Sequence, residues 1–129
     1  MATQQQATPA ADERRETPRI QLARLAASAA LEHADVTGAD PARTHATHAG
    51  SERLPGVTVM PEGGEAGAPR YAVALYLVAG LTDLPVLAAQ VESQVRRAAD
   101  AEGLGGAISA IHITFTDLTL PELKRTAHA

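Results

Sequence analysis

Two histidines three residues apart, His45-Ala-Thr-His48, come nearest to a chemical site, with His33, Asp35 and Asp40 shortly upstream. Imidazole and carboxylate are ordinary zinc ligands, which makes His33, His45 and His48 the candidate metal ligands. The signal is weak. His-x-x-His converges on one ion only where the segment is helical, and no glutamate stands in a His-Glu-x-x-His position to act as a base. The competing reading is a solvated polar loop, lacking the buried partners that orient a ligand. The expectation is that neither a metal nor any other cofactor is bound. Ser51, His48 and Asp40 supply the residue types of a nucleophilic triad. No elbow or oxyanion hole accompanies them, so no catalytic residue is assigned.

The remaining candidates have plainer readings. His112 lies between two isoleucines, and an imidazole there would suit a pH-sensitive interface. Its alternation with Thr114 and Thr116 reads more simply as an exposed strand position. The glycines of Gly63-Gly64 and Gly103-Leu104-Gly105-Gly106 read as turns. The second run follows a helix and precedes a strand, the reverse of a phosphate cradle. Arg96-Arg97 reads as a solvated helix face, paired at helical spacing with Glu92 and Asp100.

Composition narrows the classes further. The net charge of -4 and the 2% aromatic content leave neither a basic field nor stacking platforms for nucleic acid. With no cysteine, disulfides, thiolate nucleophiles and cysteine-containing zinc sites are excluded. Lys124 is the only lysine, and the arginine and alanine bias reads as that of a GC-rich genome. No apolar run reaches bilayer length, and the N-terminus lacks a signal-peptide core, so a cytoplasmic location without direct membrane insertion is expected.

The elements that would hold these residues follow from periodicity. Residues 1–16 are polar and aperiodic and read as a disordered arm. Thr17-Pro18 starts a helix that runs to about Glu32 or His33. Its polar stripe is Gln21, Arg24, Ser28 and Glu32, and almost everything else is apolar. So wide an apolar surface is either buried on two sides or shared with a second chain. Leu22, Leu25 and Ala29 are therefore the candidate interaction residues. Residues 34–55 read as a divergent loop. A short strand over Gly56–Met60, a flexible connection over Pro61–Pro69 and a strand over Arg70–Ala79 follow. Both faces of the last are apolar, which makes it central. Asp83 caps a second helix ending at Gly103. A final strand spans Ala107–Asp117, with Ile111, Ile113 and Phe115 toward the core, and residues 119–129 read as a tail. The fold class is α+β: a single domain over residues 17–118, in the order α-β-β-α-β. A mostly antiparallel sheet of about three strands is covered by two helices.

The stretch Gly56-Val57-Thr58-Val59, the strand YAVALYLVAG, the helix carrying Val91, Gln94 and Val95, the break Glu102-Gly103-Leu104 and the strand AISAIHITFTDL together resemble the alkaline shock, or envelope-stress, family of Gram-positive bacteria. The helix IQLARLAASAALEH resembles that family's first helix. The pattern departs after this helix, where Asp35-Val36-Thr37-Gly38 leads into the histidine-containing stretch. The resemblance implies a non-enzymatic cytoplasmic protein of envelope homeostasis. It would form homo-oligomers or pair with a related family member, and lie at the membrane through an integral-membrane partner. The family has no catalytic motif to transfer. The alternative from the residues is a small-molecule or metal-binding regulatory domain of ferredoxin-like type, using the histidine-containing loop.

Overall fold

The structure is a computed structural model that describes residues 16–120. The expected disordered arm, except Glu16, and the expected tail beyond Leu120 lie outside the described residues. Helix α1 spans Pro18–Leu31. Thr17 caps it, its hydroxyl accepting the Ile20 N–H at 3.4 Å, and Pro18 occupies the first turn, where no N–H is missed. Six strands follow: β1 (Val36–Ala39), β2 (Ala46–Ala49), β3 (Glu52–Pro55), β4 (Val57–Glu65), β5 (Ala68–Gly80) and, after helix α2 (Leu84–Ala101), β6 (Ile108–Thr119). Asp83 caps α2 through the Val86 N–H at 3.2 Å. At the far end of α2, Gly103 adopts φ +74°. There the Leu104 N–H reaches the Ala99 carbonyl at 2.7 Å and the Gly103 N–H reaches that of Asp100 at 3.1 Å. This is the left-handed closure expected from Glu102-Gly103.

β5 is central, as its two apolar faces predict. It pairs antiparallel with β4 and β1 and parallel with β6. β4 takes residues 68–75 of β5 and β1 takes 77–79, while β6 runs beside 71–80. β1 and β4 therefore lie end to end along one edge of β5, and β6 lies along the other. The parallel β6 needs a crossover, and α2 supplies it. β2 and β3 form a separate two-stranded sheet.

Three expectations are corrected. The sheet is not a single three-stranded one: six strands form two sheets, and the order is α-β-β-β-β-β-α-β. Residues 34–55 are not a loop. They hold β1, a 3₁₀ turn over Arg43–His45, and the β2–β3 hairpin. Pro61–Pro69 is mostly strand: β4 and β5 extend to a two-residue turn at Ala66-Gly67, with one extra residue bulged between Pro61 and Gly64.

The core lies between the sheet and both helices. Val73, Leu75, Leu77 and Ala79 of β5 face Leu22, Ala26 and Ala30 of α1 and Leu87, Val91, Val95 and Ala99 of α2. α1 touches α2 on one side and the hairpin on the other, where Leu54 joins the core. Its wide apolar surface is thus buried on two sides within this chain. Ile111, Ile113 and Phe115 pack on the core from its margin and remain half-buried.

Candidate functional site

Asp40 follows β1, its N–H donating to the Tyr76 carbonyl at 2.9 Å. Its Oδ1 accepts the Ala42 N–H at 2.8 Å, closing a turn of the kind aspartate side chains favour. The 3₁₀ turn then brings the His45 N–H to the Ala42 carbonyl at 3.0 Å. Downstream, the Gly56 N–H donates to the His45 carbonyl at 2.6 Å, fixing the other side of the residue. These backbone bonds lay the His45 ring flat on Tyr76, with centroids 3.8 Å apart and planes inclined by 4°. His45 Nδ1 donates to Asp40 Oδ2 at 3.0 Å. A carboxylate can only accept here, so Nδ1 carries a proton. The Ala42 N–H, then His45 and the Thr116 hydroxyl, hold the Asp40 carboxyl below its ordinary value.

An imidazole oriented by a carboxylate is half of an acid–base pair. The other half is not assembled from the residues named in the sequence. His33 Nε2 donates to Gln90 Oε1 at 2.7 Å, and its Nδ1 accepts the Asp35 N–H at 3.1 Å, so both nitrogens are engaged. His48 is exposed on β2 opposite Arg53. It stands three extended residues from His45, roughly 10 Å along the chain. His33, His45 and His48 belong to three different surroundings, and the ligand set of the regulatory-domain reading does not come together. Among the described residues no group of three or more His, Cys, Asp or Glu side chains could hold a metal ion. The Ser51–His48–Asp40 set does not form either, because Asp40 binds His45 instead. The Asp40–His45 contact joins two residues of the candidate cluster. Tyr76 and Thr116 were missed, because they meet His45 and Asp40 only through strand pairing.

The interaction residues separate. Leu22 is 0% exposed and sits inside this chain's own core, and Ala29 is also buried. Leu25 is half-buried. With Ala29, Ala98 and Leu104 it lines a groove of about 550 Å³ between α1 and α2, bordered by Glu16, Glu32 and Glu102. Arg24 closes one wall, bonded to Glu52 of β3 at 2.7 Å and to Glu16. These carboxylates raise its pKa further above its ordinary value, and Arg24 lowers that of Glu52.

The sheet face turned away from the helices carries Thr58 and Met60 of β4, Ala72, Ala74, Tyr76 and Val78 of β5, and Ala110, His112 and Thr114 of β6. Met60 is 65% exposed, and the β5 residues are half-exposed. His112 is exposed, as its alternation with Thr114 predicts. The His45–Tyr76 stack covers one part of this surface. No helix among the described residues is long and apolar enough to cross a membrane. No family model, curated protein or solved structure matches this chain.

Proposed function

We propose that this chain is a non-enzymatic assembly module that acts by self-association and by binding a partner protein. The observation that carries this reading is the half-covered sheet. Both helices pack on one face, and the other presents Met60, Ala72, Ala74 and Ala110 between the His45–Tyr76 stack and Asp117, with Met60 largely exposed. Contiguous apolar surface of this kind marks interaction sites. Leu118 and Leu120 are exposed as well, at the end of β6.

The resemblance of Gly56–Leu118 to the alkaline shock family extends the proposal to a role in envelope stress. The protein would work at the cytoplasmic side of the membrane, held there by an integral-membrane partner. Light scattering over a concentration series tests the assembly part. Mass rising above that of one chain is expected, and a monomer at every concentration overturns it. Flotation with bare lipid vesicles tests the membrane part. No binding is expected, and binding without any partner protein overturns partner-mediated attachment.

A further inference from the structure

We propose that a second copy of this chain pairs antiparallel with the free edge of β6, in a two-fold register centred on Thr114. The proposal rests on the assembly reading and names its surface.

β6 is 12 residues long, and its one sheet partner among the described residues is β5. Native edge strands are ordinarily kept apart by shortness, lysine, proline or inward charge. Residues 110–116, Ala-Ile-His-Ile-Thr-Phe-Thr, contain no lysine, arginine, proline, glycine or carboxylate. The strand is β-branched and aromatic throughout its middle, the composition that pairs best. On its core side Ile113 and Phe115 are left half-buried, so apolar surface remains there for a neighbour to cover.

The register follows from a bulge. Phe115 stands beside Leu77, but Asp117 stands beside Val78, so Thr116 is an extra residue. Without it Asp117 would share the face of Phe115. With it, Asp117 joins His112 and Thr114, which stand beside Ala74 and Tyr76 on the outer face. Directly opposed residues of an antiparallel pair share a face. Centring the two-fold on Thr114 places Thr114 opposite its own copy and Ile113 opposite Phe115 of the second copy. With Thr116 left out of the count as the bulged residue, it also sets His112 opposite Asp117 of the second copy, and each unlike pair occurs twice by symmetry. A centre one step earlier sets Asp117 against Ala110, and one step later against Thr114. Only the Thr114 register joins the strand's imidazole to its carboxylate, so this hydrogen-bonding complementarity selects a second copy and fixes its alignment.

The chain has no cysteine, so a single introduced thiol reports the register directly. Facing residues in an antiparallel pair have Cα atoms about 4.5–5.5 Å apart, within disulfide reach. Thr114→Cys is expected to give a disulfide-linked dimer on mild oxidation, whereas Val86→Cys, exposed on α2, should not. Separately, His112→Asp sets carboxylate against carboxylate twice and should raise the dimer dissociation constant by about tenfold. Adding Asp117→Lys to that variant should restore association. The charge pair decides the matter if Thr114→Cys does not fold. An oligomer that neither cross-links at position 114 nor responds to His112→Asp overturns this interface and leaves the assembly reading standing. A wild-type monomer at every concentration overturns both.

Discussion

Replacing Gly56 with alanine tests the join where β1, β4 and β5 meet. Gly56 has φ +73°, and a Cβ placed there would lie 2.6 Å from the Ala39 Cβ and 2.7 Å from the Tyr76 carbonyl oxygen. Both contacts are with rigid neighbours, since β1 is pinned to β5 and the carbonyl is backbone. The Gly56 carbonyl also accepts the Tyr76 N–H at 2.8 Å, so the chain cannot back away without breaking that bond. The left-handed conformation costs an L-residue about 1–2 kcal/mol. Overpacking adds about 1–3 kcal/mol. Lower entropy of the unfolded chain returns about 0.4–1 kcal/mol. The net expectation is a loss of about 1–5 kcal/mol, a large share of the margin of a small domain. Gly67 is the control. It has φ +87° and nothing within 4 Å of an added Cβ, so Gly67→Ala bears the strain without the clash. Urea unfolding of both variants should give similar slopes, with the midpoint of Gly56→Ala falling much further. The Tyr76–His45 stack should loosen too, visible as a shift of the His45 ring resonances, because Gly56 is bonded to both residues. Equal midpoints for the two variants would refute the close approach at Gly56.

Two further expectations concern the core and the histidine site. Leu22→Ala removes a fully buried side chain and should cost about 2–5 kcal/mol by thermal or chemical unfolding, while Leu25→Ala in the open groove should cost clearly less; equal losses would contradict the packing of α1. Asp40 has a carboxyl held below the ordinary 3.8, chiefly by the Ala42 N–H and then by His45. The folded state therefore binds this proton less readily than the unfolded chain. The contribution is complete above 3.8 and is lost as pH falls through the lower folded value. Asp40→Asn should flatten that part of an acid-unfolding profile, and an unchanged profile would show that Asp40 contributes nothing there.

Much of the framework was legible because it is written locally. Thr17-Pro18 and Asp83 with Pro85 announce two helix starts, and Gly103 announces an end, through caps that need only neighbouring residues. The apolar positions of α2, from Leu84 to Ala99, recur at helical spacing and are the ones buried or half-buried. The double-faced apolar run of β5 marks a central strand before any partner is known. One local signal was overlooked: Gly50-Ser51 between two short runs is hairpin chemistry, and β2 and β3 turn on it. Reading His45 and His48 as neighbours assumed a helix, where a single 3₁₀ turn gives way at once to extended chain.

The sequence by itself determined the α+β class, both helices with their caps and the central β5. Each depends on backbone preference and periodicity within a few turns of chain. Tertiary structure alone decided the rest. β1, with only Val36 buried, is a strand because β5 offers it hydrogen bonds at Leu77–Ala79, some forty residues on. Asp40 and His45 find Tyr76 by the same long-range pairing, and the bulge at Thr116 turns Asp117 onto the face of His112. A tight turn sets the register of β4 on β5 locally, whereas β1 and β6 reach β5 from far along the chain, so their register depends on the partner they meet.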